Sequence, residues 1–265
     1  MKKYLALMRA SILESLQFRL AAISNFVGNL IYIVIVYNLW KSIFESAGSE
    51  SINGLTFADT MVYLVLASAL FYAMEVYFVW ETHRSIQSGK IILDLIKPIK
   101  YHAFQFASLS GWVVFNFIST FIPTFALVYF LSGRGIPLGF NLLFFMASVG
   151  LAIGIHFSID SFVATICLYT QSVWGVNIMK EVIVLLFSGA VIPLNFFPEP
   201  LKTIAMYLPF QAIYNSPLQQ LINPALTMHE RLVSFGIQAF WLMILLLASS
   251  LFWKKSLKVI TVNGG

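Results

Sequence analysis

The stretch LFSGAVIPLNFFPEPLKTIAMYLPFQAIYNSPLQQL, residues 186–221, combines an apolar composition with a density of proline that no straight helix tolerates. Its only charged residues are Glu199 and Lys202, and six of the chain's nine prolines fall between Pro193 and Pro224. Each proline removes a backbone donor and restricts the residue before it. Because lipid cannot satisfy broken backbone, such a segment must be buried in protein or line a cavity. This stretch therefore indicates a membrane protein and marks its candidate functional segment.

The composition of the whole chain excludes a soluble globule. Of the 265 residues, 59% are hydrophobic and 10% are charged, and the mean hydropathy is +0.85. A soluble domain carries roughly 25% charged residues. The single cysteine, Cys167, excludes an intramolecular disulfide and a multi-cysteine metal site. We therefore expect an all-α polytopic membrane protein, with one transmembrane domain over residues 1–265.

Long runs with few or no charges predict six transmembrane helices. The predicted spans cover residues 21–40, 60–80, 103–131, 138–168, 180–197 and 232–253. Pro123 predicts a kink in the third span, and SGRGIP at 132–137 predicts a tight turn. The proline-rich stretch lies between the fifth and sixth spans.

Residues 1–20 predict an amphipathic helix that lies on the membrane surface. The apolar residues of one helical face are Leu5, Met8, Ile12, Leu16 and Leu20. The charged residues lie largely off that face, at Lys2, Lys3, Arg9 and Glu14.

The distribution of Lys and Arg predicts the orientation, because basic residues collect on the cytoplasmic side. Six spans place both termini on one side, and twelve of the sixteen basic residues fall in segments of that side. The four others are Lys41, Arg134, Lys202 and Arg231. We therefore predict cytoplasmic termini and an outer proline-rich stretch. The formal charge of +5 indicates topology, not nucleic-acid binding.

The longest predicted cytoplasmic loop contains a short apolar helix. In WETHRSIQSGKIILDLIKPIKYHAFQ, residues 80–105, four apolar residues recur with helical spacing inside 89–98, between a glycine and a proline. They are Ile91, Ile92, Leu95 and Ile96. Such a stripe fits docking into a partner's groove. It fits equally a helix resting on lipid headgroups beside Lys90, Lys97 and Lys100.

Ionisable residues inside the predicted spans are functional hypotheses by default. They are Glu75, His156 and Asp160, with Lys180 and Glu181 near an inner boundary. His156 and Asp160 are four residues apart and share one helical face. Two ligands without a third make a weak metal site. A hydrogen-bonded pair that fixes helix packing is favoured instead.

The sequence lacks the motifs of two enzyme classes, P-loop ATPases and membrane-embedded hydrolases. The tripeptide Ser88-Gly89-Lys90 lacks the upstream glycine and the following Ser or Thr of a P-loop. The chain also contains no HExxH motif and no evident Ser–His arrangement across spans. We therefore predict no catalytic residues and no cofactor in this chain.

The order of these parts resembles the ABC-2 type family of ABC transporter permeases. The loop motif H-R-x-I-x-x-G-K-I-x-x-x-L-x-K-P at 83–98 and the string SGAVIPLNFFPEPLKTIAMYLPF at 188–210 carry the resemblance. It extends over essentially the whole chain. It is strongest to a bacterial branch in which two unlike permeases are often encoded beside one ATPase.

The resemblance implies roles for two segments. It identifies 89–98 as a coupling helix for an ATP-binding subunit, and 199–221 as re-entrant helices at the outer mouth. The implied coupling residues are Gly89, Lys90, Ile91, Ile92, Asp94, Leu95, Lys97 and Pro98. The implied residues of an extracellular gate are Pro193, Phe196, Phe197, Pro198, Pro209 and Phe210.

The resemblance also implies partners and a function. It implies an exporter in the bacterial plasma membrane, with two ABC ATPase subunits that bind ATP and Mg, and a second permease, identical or homologous. The expected cargo is hydrophobic or amphipathic: a drug, a lipid-like molecule or a peptide. Two alternatives stay open, an ATP-independent carrier or channel and a structural membrane subunit.

Overall fold

The computed structural model describes residues 2–131, 136, 139–170 and 172–259. Apart from Ile136, the predicted turn at 132–137 with its Arg134 lies outside these residues. The β structure in the described part is one antiparallel hairpin, β1 (Ser51–Ile52) and β2 (Leu55–Thr56). The α-helices are α1 (Lys2–Gln17), α2 (Arg19–Ala47), α3 (Phe57–Met74), α4 (Phe78–Gln87), α5 (Ile91–Leu95), α6 (Tyr101–Asn116), α7 (Ile122–Leu131), α8 (Gly139–Ile166), α9 (Trp174–Phe187), α10 (Glu199–Tyr207), α11 (Asn215–Ile222) and α12 (Met228–Ser256).

Five helical stretches of the described residues are long and apolar enough to cross a membrane, which confirms the all-α polytopic class. They are Leu20–Ala47, Phe57–Gln87, Tyr101–Leu131, Gly139–Ile166 and Met228–Ser256. Helix α9 has 14 residues. At 1.5 Å per residue it is about 21 Å long, short of a hydrocarbon core of about 30 Å. The sixth crossing stays a prediction.

The centre of the bundle is built around α3 and α11. In the span that contains α3, 67% of the most apolar window is buried, against 17% in α2 and 11% in α12. Helix α3 packs on α2, α7 and α11, and α11 packs on α8. Tyr214, which precedes α11, and Leu218 are fully buried. The part of the proline-rich segment around α11 is therefore core, whereas α2 and α12 form the outside.

Side-chain contacts define two ends of the bundle. At the loop end, Ile91 packs with Tyr101 at the start of α6 and with Trp253 near the end of α12. At the cavity end, Arg231 near the start of α12 donates to Gln220 of α11. Helix α12 therefore runs from one end of the bundle to the other. The loop end is the end that the charge count predicts to be cytoplasmic.

The fifth predicted span, 180–197, differs from the structure. Helix α9 begins earlier, at Trp174, and ends at Phe187. The chain leaves the helix because Gly189 adopts a φ of +81°, and Pro193 then lacks a backbone donor. A Cβ at Gly189 would lie 2.6 Å from the Tyr63 hydroxyl, so this turn requires glycine.

The second and third predicted spans are interrupted helices. The second, 60–80, breaks at Glu75, whose backbone is extended with ψ of 122°, and helix resumes at Phe78. In the third, 103–131, a π-helical turn over Phe117–Phe121 lies just before Pro123. Pro123 has no backbone N–H to donate, and the wider π-helical turn before it changes the hydrogen-bond pattern locally. This confirms a local distortion at the predicted kink.

Helix α1 packs along α6 through small residues. Ser11 and Ser15 are buried on α1, and Ala107 and Gly111 are buried on α6. Such small residues four apart allow two helix backbones to approach closely. A Cβ at Gly111 would lie 2.5 Å from the backbone oxygen of Met8. The face in contact with α6 is therefore small and polar.

The predicted apolar face of α1 stays largely open. Leu5 and Leu16 are 62% and 53% exposed. Helix α1 ends at Gln17, so Leu20 belongs to α2. Location at a membrane surface stays a prediction.

Candidate functional site

A cavity of about 810 Å³ opens at the cavity end of the bundle. The β-hairpin, the first turns of α3, the segment 193–195, α10, α11 and the start of α12 surround it. Its most frequent polar groups are side-chain amides, from Asn195, Gln211, Asn215, Gln219, Gln220 and Asn223. The proline-rich stretch thus forms a wall of a cavity, as lipid-intolerant backbone requires.

The first clamp on this wall comes from Arg231 of α12, which is 6% exposed. Its Nη1 donates to the backbone oxygen and to Oε1 of Gln220, at 3.1 and 3.0 Å. Its Nη2 donates to Oδ1 of Asn141 of α8 at 2.8 Å, and its guanidinium lies 5.0 Å from the Phe144 ring. One arginine therefore joins α8, α11 and α12.

A second clamp lies two helical turns further along α12. Nε2 of Gln238 donates to the backbone oxygens of Ala212 and Ser148, at 2.8 and 3.2 Å. The Ser148 hydroxyl donates to Oε1 of Gln238 at 2.9 Å. Gln238 lies seven residues after Arg231 on α12, and Ser148 lies seven residues after Asn141 on α8. This spacing keeps the two clamps on one face of each helix.

Two further contacts satisfy the broken backbone. The indole Nε1 of Trp241 donates to the oxygen of Tyr207, the last residue of α10, at 3.2 Å. The backbone N–H of Asn215 donates to the oxygen of Ser188 at the end of α9, at 3.2 Å. The Tyr63 hydroxyl donates to Oδ1 of Asn215 at 3.3 Å. Carbonyls left open at helix ends thus find partners inside the protein.

The prolines occupy positions where no donor is needed. Pro198 precedes α10, and Pro200 is its second residue. Pro209 precedes a 3₁₀ turn over Phe210–Ala212, and Pro217 lies in the first turn of α11. The first turn of a helix has no internal acceptors for its N–H groups, so proline costs nothing there.

The predicted gate residues separate into different environments. Pro193 lines the cavity. The ring of Phe196 packs 4.6 Å from that of Trp40 of α2, and the ring of Phe210 lies 6.4 Å from that of Phe187. The others differ in burial: Phe197 is half-buried, Pro198 exposed and Pro209 buried. The cavity wall is therefore richer in amides than in phenylalanines, and the gate role stays a prediction.

At the loop end, α5 turns an apolar face toward the chain's own helices. Ile91 is 2% exposed and packs with Tyr101 and Trp253, whose rings stack at 4.7 Å. Ile92 and Leu95 are half-buried against the same cluster. Much of the stripe predicted for docking is therefore an internal anchor, because Ile92 and Leu95 lie on the same side of this short helix as the buried Ile91.

The opposite face of α5 exposes apolar side chains. Leu93 and Ile96 are 58% and 72% exposed. Asp94 and Lys97 pair at 2.6 Å, and the Lys97 Nζ lies 3.9 Å from the centre of the Phe104 ring. The stripe predicted from spacing included Ile96 but missed Leu93.

The remaining predicted coupling residues form the borders of this unit. Gly89 makes the turn between α4 and α5 with φ of +70°, a conformation that favours glycine. Its N–H donates to the Ile86 oxygen at 3.1 Å. Lys90 and Pro98 are exposed. The eight residues thus form one compact unit, and its docking role stays a prediction.

The predicted intramembrane ionisable residues form a cluster with α9. Oδ1 of Asp160 lies 2.9 Å from Nζ of Lys180, and Oδ2 lies 3.9 Å from Nε2 of His156. Glu75 at the helix break lies within electrostatic range of Lys180 and Glu181. No group of three or more metal-ligating side chains occurs in the described part of the chain. The ammonium group of Lys180 pairs with the Asp160 carboxylate. The pair is therefore better described as an ion pair that joins α8 and α9 than as a metal site.

The lone cysteine lies in apolar surroundings. Cys167 follows α8 and packs with Val79, Val163 and Val173. Burial raises the pKa of the thiol to about 11, so little nucleophilic thiolate forms at neutral pH.

Sequence reasoning missed the two clamps. Asn141, Ser148 and Gln238 are uncharged, and the predictions considered only ionisable residues inside spans. Arg231 was assigned to a loop, yet it lies in α12. The available signal was a pair of polar residues seven positions apart in each of two apolar spans.

Comparison with protein families gives one match that covers most of the chain. The family is described as ABC-2 family transporter protein, and its match extends over residues 12–264. No curated protein matches the chain. The matched range includes both the cavity wall and α5.

Proposed function

This chain belongs to the ABC-2 family of transporter proteins, and on that premise we propose that it is the permease subunit of an ATP-driven exporter. Members of the family are membrane components and not catalytic ATPases. The proposal assigns ATP and Mg to two partner ABC ATPase subunits. It adds a second permease, identical or homologous, in the bacterial plasma membrane with both termini cytoplasmic. The proposed cargo is hydrophobic or amphipathic.

The observation that carries the proposal is the exposed apolar surface of α5 at the loop end. Leu93 and Ile96 are exposed on a short helix. Arg84, Lys90 and Lys100 are exposed in the flanking sequence. Apolar side chains framed by cations suit a groove of a partner with acidic edges. The family implies an ABC ATPase as a partner, and the proposal assigns this surface to it.

Motion of α5 has a direct route into the membrane helices. Ile91 lies against Tyr101 of α6 and Trp253 of α12, so displacement of α5 pushes on two spans at once. Helix α12 carries Arg231 and Gln238 at its other end, where they hold the cavity wall. We propose that closure of the ATPase subunits moves α12 and thereby opens the cavity end.

The peripheral helices support a second permease. Helices α2 and α12 have the least buried apolar windows of the five spanning stretches. One exposed side of α2 carries large apolar residues at Ile23, Val27, Ile31, Val34 and Ile35. Lipid covers such a surface, and so would another permease. An amphipathic cargo would move between the two.

The test compares the same substitution at the two ends of the chain. Ile96→Asp places a carboxylate in the proposed ATPase contact, and a buried unpaired carboxylate is strongly unfavourable. Ile204→Asp on α10 is the matched control, since Ile204 is 55% exposed at the cavity end. Leu95 is a poorer target because it packs inside the chain.

We expect Ile96→Asp to weaken association with the cognate ABC ATPase at least tenfold in co-purification titrations, with Ile204→Asp near wild type. Association of Ile96→Asp at wild-type strength would contradict the docking assignment. Transport of an amphipathic dye by the chain alone, driven by a proton gradient and indifferent to ATP, would instead favour a secondary carrier.

A further inference from the structure

The cavity is a donor-lined site, because three of its amides have their oxygens occupied from behind. Oε1 of Gln220 accepts from Arg231 at 3.0 Å, and Oε1 of Gln211 accepts from the Ser216 hydroxyl at 2.8 Å. Oδ1 of Asn215 accepts from the hydroxyl of Tyr63. The three amides line the cavity and are 1%, 2% and 7% exposed.

The orientation of Gln220 is fixed by its partner. A guanidinium has donors and no acceptor, so the oxygen of Gln220 must face Arg231 and its NH₂ must face away. Within the described residues, no acceptor meets the NH₂ group of Gln220, Gln211 or Asn215. None of the three NH₂ groups is a fully buried atom without a partner, so each is open to the cavity, where water or a ligand can accept its hydrogen bond. The three side chains therefore leave NH₂ donors for an occupant of the cavity.

The charge behind these donors is positive. Arg231 is buried, and no carboxylate lies within ion-pair distance of it in the described part of the chain. Asp59, Glu230 and Lys202 also line the cavity, and the two carboxylates accept hydrogen bonds in capping boxes with Thr56 and Thr227. Asp59 is half-buried and Glu230 is exposed, so the buried charge beside the amides is that of Arg231. A buried cation held only by neutral amides strengthens donation from the amide it polarises. The buried side of the cavity, at Gln220, therefore favours a negatively charged acceptor.

The rest of the wall is apolar. Val62, Leu194, Met206, Val233 and Ile237 line the same cavity. A volume of about 810 Å³ is large enough for a headgroup together with part of an acyl chain. An occupant must therefore offer oxyanion oxygens to one side and a hydrocarbon portion to the other.

We propose that this cavity binds the phosphate oxyanion of an amphipathic molecule, with Gln211, Asn215 and Gln220 donating to its oxygens. Phosphate offers three or more acceptor oxygens, so each of the three donors can meet an oxygen of its own. The inference concerns binding by the chain itself and does not depend on ATPase docking. Its failure would leave the proposed permease function intact.

The experiment titrates the full chain, purified in a neutral maltoside detergent, by isothermal calorimetry. The probe is dihexanoylphosphatidic acid. Dihexanoylglycerol serves as the probe without phosphate, and inorganic phosphate as the probe without chains. Gln220→Glu replaces the donor with an oxygen and retains a partner for Arg231, which favours folding. Gln17→Glu, at an exposed position on α1, is the control for the change in net charge.

We expect wild type and Gln17→Glu to bind dihexanoylphosphatidic acid equally, and Gln220→Glu to bind it at least tenfold more weakly. Dihexanoylglycerol should bind at least tenfold more weakly to wild type. Inorganic phosphate binding as tightly as the lipid would support the oxyanion site and assign it to free phosphate.

Two results would overturn the proposal. The first is equal binding of dihexanoylglycerol and dihexanoylphosphatidic acid, and the second is wild-type affinity in Gln220→Glu. If Gln220→Glu does not fold, Gln211→Glu makes the same reversal beside Ser216, and wild-type affinity there would be equally adverse.

Discussion

The cavity-end segment 188–222 and the loop-end segment 88–100 look alike as sequence and differ as structure. Each contains apolar runs, and glycine and proline punctuate both. The cavity-end segment is held by side chains of α12 that bind its backbone oxygens. The loop-end segment is held by apolar packing on two aromatic rings, and it leaves Leu93 and Ile96 outside.

The difference follows from what surrounds each segment. Broken backbone inside the bundle has no water to satisfy it, so polar side chains must be supplied by neighbouring helices. A loop at the end of the bundle has water for its backbone and needs only an anchor. Its remaining apolar surface is then free for a partner. Hydrogen bonds from α12 therefore hold the backbone of the cavity-end segment, and apolar contact anchors the loop-end segment.

The largest test of this contrast removes the arginine clamp. Arg231→Met leaves the backbone oxygen of Gln220 and the amide of Asn141 without their charged donor. We expect the free energy of unfolding, measured by SDS titration in mixed micelles, to fall by about 3 kcal/mol. Arg84→Met is the control, since Arg84 is exposed at the loop end. Equal losses in the two variants would erase the contrast.

A smaller effect is expected from the turn that ends α9. Gly189→Ala introduces a Cβ at a φ of +81° and 2.6 Å from the Tyr63 hydroxyl. We expect a loss of about 2 kcal/mol in the same titration, from left-handed backbone and displacement of Tyr63. Gly175→Ala, at the loop end of the same helix, meets nothing within 4 Å and should be neutral or stabilising. A neutral Gly189→Ala would show that the turn tolerates a side chain.

The smallest effect is expected within the loop-end segment. Ile91→Val removes one methylene from the cluster of Tyr101 and Trp253, and it should lower the free energy of unfolding by about 1 kcal/mol. Ile96→Val makes the same change at a residue that is 72% exposed and should have no measurable effect. If the two variants lose equal stability, Ile91 is not the anchor of α5.

The sequence predicted the helical class and most spans, because apolar runs of membrane length have few alternatives. The resemblance implied short re-entrant helices over 199–221; α10 lies within this range and α11 ends one residue beyond it, at Ile222. Their re-entrant position stays a prediction. The sequence did not predict the break at Glu75, because one residue with extended backbone leaves no mark in a hydropathy pattern. The face of α5 that packs inward also escaped it, since both faces of that turn are apolar.

By itself, the sequence determined that this is a helical membrane protein and that 186–221 needs shelter from lipid. Composition and proline positions suffice for these conclusions, because they depend on solvation and on local backbone chemistry. Only the tertiary structure decided how that shelter is built. Arg231 and Gln238 reach backbone oxygens 11 and 26 residues away in sequence. No local pattern encodes such contacts, since they exist only once α8, α11 and α12 have packed together.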